Sequence, residues 1–283
     1  MTTVVVTGAS TGIGWAVVEA LTARGMHVAA TVRTEADAAR LRTTFGDRVT
    51  PLLADVTDPA SLRRAADTVR ARLGNRTLAG LVNNAGIANG GPLLLQPMAE
   101  VRRVFEVNVF GLLEATRAFA PLLGTEPGRE GPPGRVVNIG SVSGWMALPF
   151  AGGYAATKHA VKALTEALRA ELQLFGIDVT VVEPGPVTTP IWDKVRAEDQ
   201  TRYDGTPYAA PLAAFRRFMD QSASRALPAS DVGEAVVQHL TASAPPVRRV
   251  MMRGKLLQFT LPRLLPARLA DRLFGQMLGL RRP

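Results

Sequence analysis

The chain has 283 residues, and 47% of them are hydrophobic, which is enough for one large α/β domain. It has no cysteine, so disulfides and cysteine-ligated metal sites are excluded. The net charge is +9, but residues 248–283 hold nine basic residues and one acidic residue, and the remainder is nearly neutral. The charge therefore belongs to residues 248–283, and we expect no nucleic-acid partner.

No targeting or membrane-spanning segment is predicted. The sequence begins on a strand-like run, without the basic and then apolar regions of a secretory signal, so we expect a cytoplasmic protein. It contains no run of 18 apolar residues, so we predict no transmembrane helix.

The first predicted strand, Val4–Val6, is followed by a glycine-rich turn and a helix from Trp15 to Arg24. Glycines allow a tight turn and a close approach of the backbone to a pyrophosphate at the helix N-terminus. The spacing is Gly-x-x-x-Gly-x-Gly rather than the commoner Gly-x-Gly-x-x-Gly. We predict a phosphate-binding turn, with an ordinary glycine-rich turn as the alternative; its residues are Gly8, Ser10, Thr11, Gly12, Ile13 and Gly14.

The second predicted strand, Met26–Val32, is followed by Arg33 and Thr34. An acidic residue here would bind the adenosine ribose hydroxyls of NAD, but none stands at the strand end. A guanidinium binds phosphate bidentately, so Arg33 and Thr34 favour a 2′-phosphate, and thus NADP(H) over NAD(H). The alternative for Arg33 is a solvated surface side chain.

Two further strands end in polar or small residues. Val49–Ala54 leads to Asp55 and Val56, and the Asp55 carboxylate is either a partner of the adenine amino group or an ordinary loop carboxylate. Leu78–Val82 leads to the small and amide residues Asn84, Ala85 and Gly86. Residues of this kind suit close contact with a flat cofactor.

A long amphipathic helix is predicted from Pro97 to Leu123, with Asn108 inside its apolar pattern. Asparagine side chains form hydrogen bonds that compete with helical geometry. Asn108 is therefore either a satisfied buried amide or a kink that directs a carbonyl towards a catalytic water.

The middle of the chain carries the main chemical signal. A fifth strand, Arg135–Ile139, leads to Ser141, and Tyr154 and Lys158 share one face of the next helix because they are four residues apart. A nearby cation lowers the pKa of a tyrosine from about 10 and makes it a usable acid or base. We predict this role for Tyr154, with the Ser141 hydroxyl on the same substrate oxygen.

The rest of the pattern completes an α/β domain. A sixth strand, Ile177–Val182, precedes a loop that carries Pro184, Gly185, Val187 and Thr189. From about 190 to 227 aromatic residues lie among charges and prolines, which indicates either a lid over an apolar pocket or an irregular insertion. We predict one Rossmann-type domain (residues 1–252) with a doubly wound parallel sheet, three layers and no metal site, and a basic, amphipathic helical extension (residues 253–283).

Taken together, these residues resemble the short-chain dehydrogenase/reductase family over about residues 2–252. Any one motif is weak evidence, but seven in the same order are highly specific. The matching motifs are Thr7-Gly8-x-x-x-Gly12-x-Gly14, Asp55, Asn83-Asn84-Ala85-Gly86, Asn108, Ser141, Tyr154-x-x-x-Lys158, and Pro184-Gly185 with Thr189.

The resemblance implies a nicotinamide cofactor and a homodimer or homotetramer. It implies that Tyr154 is the acid/base, that Lys158 binds the nicotinamide ribose and lowers the tyrosine pKa, and that Ser141 orients the substrate oxygen. Asn108 would hold a water in the proton relay, and Thr189 would lie near the nicotinamide carboxamide. Arg33 and Thr34 resemble the NADP-preferring members, whereas the likeness of residues 189–192 and of the tail to hydroxysteroid and retinol dehydrogenases is loose.

Two function classes follow from this pattern. The first is an NADP(H)-dependent oxidoreductase that interconverts a carbonyl and an alcohol on a small apolar substrate. The second is a cofactor-binding sensor or scaffold that has kept the fold and lost the chemistry. A non-catalytic member would be expected to lack Tyr154 or Lys158, and both are present.

The C-terminal extension carries an apolar stripe, formed by Leu269, Leu273, Met277 and Leu280. We predict that this stripe packs on its own subunit or across an oligomer interface. Contact with an anionic membrane surface is the alternative, because the segment carries so many basic residues.

Overall fold

One parallel sheet organises the computed structural model, which describes residues 2–191 and 201–280, with the backbone alone at 257 and 258. Over these residues the sheet has seven strands in the order β3-β2-β1-β4-β5-β6-β7. The strands are β1 (Thr3–Val6), β2 (His27–Val32), β3 (Val49–Leu53), β4 (Gly80–Asn83), β5 (Arg135–Ile139), β6 (Asp178–Pro184) and β7 (Arg248–Met251).

Helices cover both faces of the sheet. They are α1 (Gly12–Ala23), α2 (Glu35–Phe45), α3 (Pro59–Leu73), α4 (Met98–Phe105), α5 (Gly111–Ala120), α6 (Gly152–Glu171), α7 (Ala209–Ala223), α8 (Ala229–Thr241), α9 (Leu261–Leu264) and α10 (Ala267–Leu278). The predicted α/β class with a doubly wound parallel sheet is confirmed.

The core consists of two apolar layers, one on each face of the sheet. Because side chains alternate along a strand, Val4 and Val6 of β1 lie in the layer with α1, α2 and α8, whereas Val5 lies in the layer with α3 and α5. The short strand β1 is buried throughout, as expected for the centre of a parallel sheet.

The helix predicted from Pro97 to Leu123 is interrupted twice. Between α4 and α5 the chain makes a π-helical turn, Glu106–Phe110, and a second π-helical turn follows α5 at Pro121–Thr125. Asn108 lies in the first of these turns, and that the turn directs a carbonyl towards a catalytic water stays a prediction. Such turns are rare and are often found at functional sites.

Residues 201–227 are more regular than the sequence indicated. Residues 192–200, with Trp192, lie outside the described residues, but α7 follows as an ordinary helix. Its apolar positions recur at helical spacing despite the neighbouring charges and Pro211. They join a third apolar cluster of Phe150, Ala151, Tyr203, Leu212, Phe215 and Leu278.

A polar ladder crosses the buried middle of the sheet. The Asn83 amide on β4 donates to Thr116 Oγ1 of α5 and to Asn138 Oδ1 of β5, each at 2.9 Å. The Asn138 amide donates in turn to Thr165 Oγ1 of α6 at 2.9 Å. The ladder fixes α5 and α6 to neighbouring strands just before those strands reach their carboxyl ends.

Within 2–191 and 201–280 no helix is both long and apolar enough to cross a bilayer.

We expect Asn138→Leu to lower the free energy of unfolding by about 1–3 kcal/mol, because it leaves buried polar groups of Asn83 and Thr165 without their partners. Urea-induced unfolding measures this change. Asn75→Leu, at an exposed loop position, is the matched control, and an equal effect of both substitutions would contradict the role of the ladder.

Candidate active site

The glycine-rich turn between β1 and α1 depends on the absence of side chains. A Cβ atom on Gly8 would lie 2.8 Å from Ala85 Cα, and one on Gly14 would overlap the carbonyl oxygen of Gly8. Gly8 and Gly12 also have φ angles of 65° and 58°, in the left-handed region that favours glycine. The turn therefore presents bare backbone at a helix N-terminus, which fits a pyrophosphate.

Asn84 holds this turn in place. Its side-chain amide donates to the carbonyl oxygens of Thr7 and Gly8, at 2.9 Å each. The Thr7 hydroxyl accepts from the backbone N–H groups of Asn84 and Ala85, at 3.0 Å each. The predicted Asn84-Ala85-Gly86 motif thus braces the cradle, and the amide of Asn84 is already engaged there.

The other predicted residues of the turn differ in exposure. Ser10 is half-buried, Thr11 is the exposed N-cap of α1 without a side-chain capping bond, and Ile13 packs on the core. The turn also lies against the loop after β6, because a Cβ on Gly12 would come 3.1 Å from Thr189 Cβ.

That loop is shaped by close packing. Pro184 is the last residue of β6, and a Cβ on Gly185 would lie 2.7 Å from Met252 Cβ, at the end of the last strand. Val187 is buried and forms a bridge with Leu227. These contacts hold Thr189 above the glycine-rich turn, as a cofactor-binding loop requires.

The end of β2 is open to solvent at Arg33 and Thr34. Thr34 caps α2 by accepting the N–H of Asp37 at 3.2 Å. Its hydroxyl donates to the Asp37 carboxylate at 2.8 Å, and Asp37 also accepts from Arg40 at 3.0 Å. Arg40 was not predicted from the sequence, where its signal was its spacing of three from Asp37.

Arg40 reaches the glycine-rich turn itself. Its guanidinium donates to the carbonyl oxygen of Ser10 and lies 5.1 Å from the centre of the Trp15 ring. A second cation is therefore held close to the cradle, on the side where α2 begins.

Asp55 follows β3 and is held by its own loop. Its carboxylate accepts from the N–H and the hydroxyl of Thr57, at 2.9 and 2.7 Å. Burial raises the pKa of this carboxyl, but the Thr57 bonds and the charges of Arg33 and Arg103 outweigh it, so the net pKa is lowered. Asp55 is thus anionic at neutral pH and lies within the field of Arg33, while the neighbouring Val56 packs against Gly111.

The predicted catalytic residues meet where β5 and α6 come together. Ser141 follows β5, Tyr154 and Lys158 lie in the first turns of α6, and all three are buried. The Ser141 and Tyr154 side chains share a hydrogen bond. The Lys158 ammonium donates to the carbonyl oxygen of Ile139 at 2.9 Å and lies 5.7 Å from the centre of the Tyr154 ring.

Burial sets the pKa values of this pair. Burial raises the pKa of Tyr154 to about 12, although the hydrogen bond with Ser141 lowers it in part. Burial also lowers the pKa of Lys158 to about 8. The expectation that the pKa of Tyr154 lies below its ordinary value is therefore wrong for the protein by itself. The ammonium is directed to the Ile139 carbonyl, and desolvation of the phenol dominates.

Asn108 connects three parts of the site. Its side-chain oxygen accepts the N–H of Ile87 at 2.8 Å, and its amide donates to Ile87 O at 2.9 Å and to Thr157 Oγ1 at 3.0 Å. The Thr157 hydroxyl donates to the carbonyl oxygen of Tyr154 at 2.7 Å. The side chain is thus a satisfied buried amide, and it lies close to Gly86, whose Cβ position is 3.3 Å from its oxygen.

Two buried amides that were not predicted from the sequence lie beside Tyr154. Asn89 Oδ1 and Gln96 Oε1 come within 3.4 and 3.8 Å of the Cβ position of Gly153, the residue before Tyr154. Among the described residues, Asn89 Oδ1 and Gln96 Nε2 have no hydrogen-bond partner. Buried polar atoms of this kind can bind a polar group of a substrate.

Metal binding requires a group of suitable ligands. In the part of the chain that the structure describes, no cluster of three or more histidine, aspartate or glutamate side chains is placed to hold an ion.

Comparisons with known proteins agree with this geometry. The model of one family, described as short chain dehydrogenase, matches residues 2–200. The NADPH-dependent 3-dehydrocapnine reductase of Ornithobacterium rhinotracheale is 34% identical over 270 residues, 95% of each chain. Retinol dehydrogenase 16 of Mus musculus is 34% identical over 259 residues, 87% of this chain and 78% of its own.

Two solved structures have a similar fold over most of the chain. A short chain dehydrogenase/reductase from Burkholderia phymatum in complex with NAD has a TM-score of 0.78 at 28% identity, covering 100% of this chain and 96% of its own. The closed form of serine dehydrogenase complexed with NADP+ has a TM-score of 0.73 at 27% identity, covering 89% of this chain and 94% of its own.

The lowered pKa of Lys158 predicts a pH-dependent stability. Between pH 8 and its ordinary pKa of about 10.5, Lys158 binds fewer protons in the folded than in the unfolded chain, so stability rises with pH across this window. Below pH 8 burial of the charged ammonium lowers the free energy of unfolding by roughly 3 kcal/mol. The hydrogen bond to Ile139 offsets about 1 kcal/mol of this.

We therefore expect Lys158→Met to be more stable than the wild type near pH 7 without added cofactor, by roughly 2 kcal/mol, with an advantage that shrinks from pH 8 upwards. Urea-induced unfolding at several pH values between neutrality and mild alkalinity measures it. Lys255→Met, at an exposed position, is the control. A stability difference that stays constant with pH would contradict the burial of a charged Lys158.

Proposed function

Because the chain belongs to the short-chain dehydrogenase family, and is thus an NAD(P)-dependent oxidoreductase of CH–OH and C=O groups, we propose that it interconverts a carbonyl and an alcohol on an apolar substrate with NADP(H). The observation that carries this proposal is the hydrogen bond between the Ser141 and Tyr154 side chains, with Lys158 beside them. Two hydroxyl groups there can bind one substrate oxygen.

The protonation states suit carbonyl reduction. With its pKa raised to about 12, the Tyr154 phenol keeps its proton at neutral pH and can donate it to the substrate oxygen. As the phenol loses this proton, the Lys158 ammonium, 5.7 Å from the ring centre, stabilises the growing negative charge. The Ser141 hydroxyl orients the same oxygen, and a nicotinamide cofactor, when bound, supplies or accepts the hydride.

The proposed cofactor preference rests on the end of β2. No acidic residue stands there, and the charge of Arg33 reaches Asp55, a neighbour on the adenosine side of the predicted site. The reductase of Ornithobacterium rhinotracheale is NADPH-dependent by name, which supports the same preference.

The proposed apolar substrate rests on the wall next to Tyr154. Phe150 and Ala151 immediately precede α6, and they pack with Tyr203, Leu212 and Phe215 in one apolar cluster. A retinol dehydrogenase is among the relatives, which is consistent with an apolar alcohol or carbonyl. Asn89 and Gln96 add polar atoms to this wall, so we infer that the substrate also carries a polar group near its carbonyl.

We expect Tyr154→Phe to lower kcat by on the order of 10²–10⁴-fold, because the ring stays and only the proton donor is lost. NADPH binding should survive, since the glycine-rich turn is untouched. Steady-state kinetics and fluorescence titration with NADPH measure the two effects. Tyr208→Phe, which alters a tyrosine that packs on Phe150, is the control, and wild-type turnover in Tyr154→Phe would refute the assignment.

Arg33→Ala should weaken NADPH binding by roughly 10- to 150-fold, the equivalent of a charge-assisted hydrogen bond of about 1.5–3 kcal/mol. NADH binding should hardly change, because NADH lacks the 2′-phosphate. Titration of both cofactors measures the difference, with Arg42→Ala as the control, since Arg42 is an exposed arginine of α2 paired with Glu35. Equal losses of affinity for NADPH and NADH would show that Arg33 does not contact the 2′-phosphate.

A further inference from the structure

The helix α10 carries apolar residues on two sides. Leu278 is 2% exposed and Gly275 is buried, and with these residues α10 packs on α7. The stripe predicted from the sequence to pack lies elsewhere on the helix. Its residues remain exposed, Leu269 at 41%, Leu273 at 49%, Met277 at 46% and Leu280 at 38%. The prediction that this stripe packs on its own subunit is therefore wrong, and its packing across an oligomer interface stays a prediction.

The exposed apolar surface begins before α10. Leu256, Leu261 and Leu264, in the preceding π-helical turn and α9, are 63%, 45% and 74% exposed. Apolar side chains scattered singly over a surface are ordinary, but a concentration within one short segment indicates an interaction site. We call residues 253–280 the C-terminal segment.

The same segment is strongly basic. It contains Arg253, Lys255, Arg263, Arg268 and Arg272 with a single acidic residue, Asp271, and the sequence continues with two more arginines. Arg268 and Arg272 are one helical turn apart and flank the exposed stripe. Within the described ranges, Arg253, Lys255, Arg268 and Arg272 form no ion pair, so their charge is available to a partner.

The segment is attached to the catalytic domain through Trp145. The Arg263 guanidinium lies 4.0 Å from the centre of the Trp145 ring, and Phe259 meets the same ring edge-on at 6.4 Å. Trp145 also donates from its indole nitrogen to the buried Glu183 at 2.9 Å. Because Trp145 lies four residues after Ser141, the exposed stripe is held at a defined side of the active site.

We propose that the C-terminal segment docks on an anionic lipid bilayer, with the apolar stripe of α10 in the interface and the arginines on the lipid head groups. An amphipathic helix with an apolar face and a cationic flank has the composition of such interfacial helices. A second copy of the chain fits less well. A two-fold contact through this stripe would bring together two C-terminal segments, each with five basic residues and one acidic residue. Residues 1–247, with 24 basic and 23 acidic residues, offer no net negative charge to balance them.

Docking in this orientation also has a consequence for the reaction. Leu278 of α10 belongs to the apolar cluster with Phe150, Leu212 and Phe215, next to Tyr154. The bilayer would therefore lie beside the apolar wall of the proposed substrate site, and an apolar substrate could enter from the lipid. The docking itself does not rest on the proposed reaction, and its test uses no substrate.

The test is co-sedimentation of the full chain with vesicles of phosphatidylcholine alone or with about one-third phosphatidylserine, at low and physiological ionic strength. We expect sedimentation with the anionic vesicles only, weakened by salt, because the arginines act over a Debye length of about 10 Å. The variant Leu273→Glu/Met277→Glu should weaken this binding by roughly tenfold or more. Both positions are exposed, so its thermal unfolding should match the wild type.

The control is Leu94→Glu/Leu174→Glu, which places the same charges at exposed leucines outside the segment, at 84% and 83% exposure, and should bind vesicles as the wild type does. The proposal would be overturned if the wild type bound both vesicle types equally or bound neither. It would also be overturned if both double variants lost vesicle binding to the same extent. A reduced particle mass of Leu273→Glu/Met277→Glu in analytical ultracentrifugation, without any vesicle binding by the wild type, would assign the stripe to a subunit interface instead.

Discussion

The candidate site depends on one buried hydrogen bond, from the Lys158 ammonium to the carbonyl oxygen of Ile139. Ile139 is the last residue of β5, and Lys158 lies one turn after Tyr154 on α6. The bond therefore fixes the start of α6 against the end of the strand and brings the Ser141 and Tyr154 hydroxyls together. A charge in this position is costly, so its burial is evidence for a function that needs it.

Buried polar side chains hold the remaining parts in register. Asn84 braces the glycine-rich turn, and Asn108 joins the loop after β4 to Thr157 of α6. Asn138 joins β5 to the same helix further down. Since buried amides cost free energy unless they are satisfied, each of them specifies one arrangement of strand, loop and helix. The outcome is a rigid edge of the sheet with the predicted phosphate cradle on one side and the proposed proton donor on the other.

The sequence was sufficient for the parts that depend on local pattern. Glycine spacing predicted the cradle because Gly8 and Gly14 have no room for a side chain, and helical spacing placed Tyr154 and Lys158 on one face. Properties that depend on tertiary burial were not predictable in this way. The pKa of Tyr154 rises because of what surrounds it, which spacing does not describe. Likewise α10 has two apolar sides, and only its contact with α7 decides that Leu278 is the packed one.

The central claim is that the buried Ser141–Tyr154–Lys158 unit transfers a proton to an apolar carbonyl while NADPH is consumed. The most direct measurement is the loss of NADPH absorbance with a series of ketones of increasing hydrophobicity, combined with a titration of NADPH binding. We expect NADPH oxidation with a kcat/KM that increases along the series, because the wall next to Tyr154 is apolar. Tight NADPH binding without oxidation in the presence of any member of the series would contradict the claim and would identify the protein as a cofactor-binding sensor or scaffold.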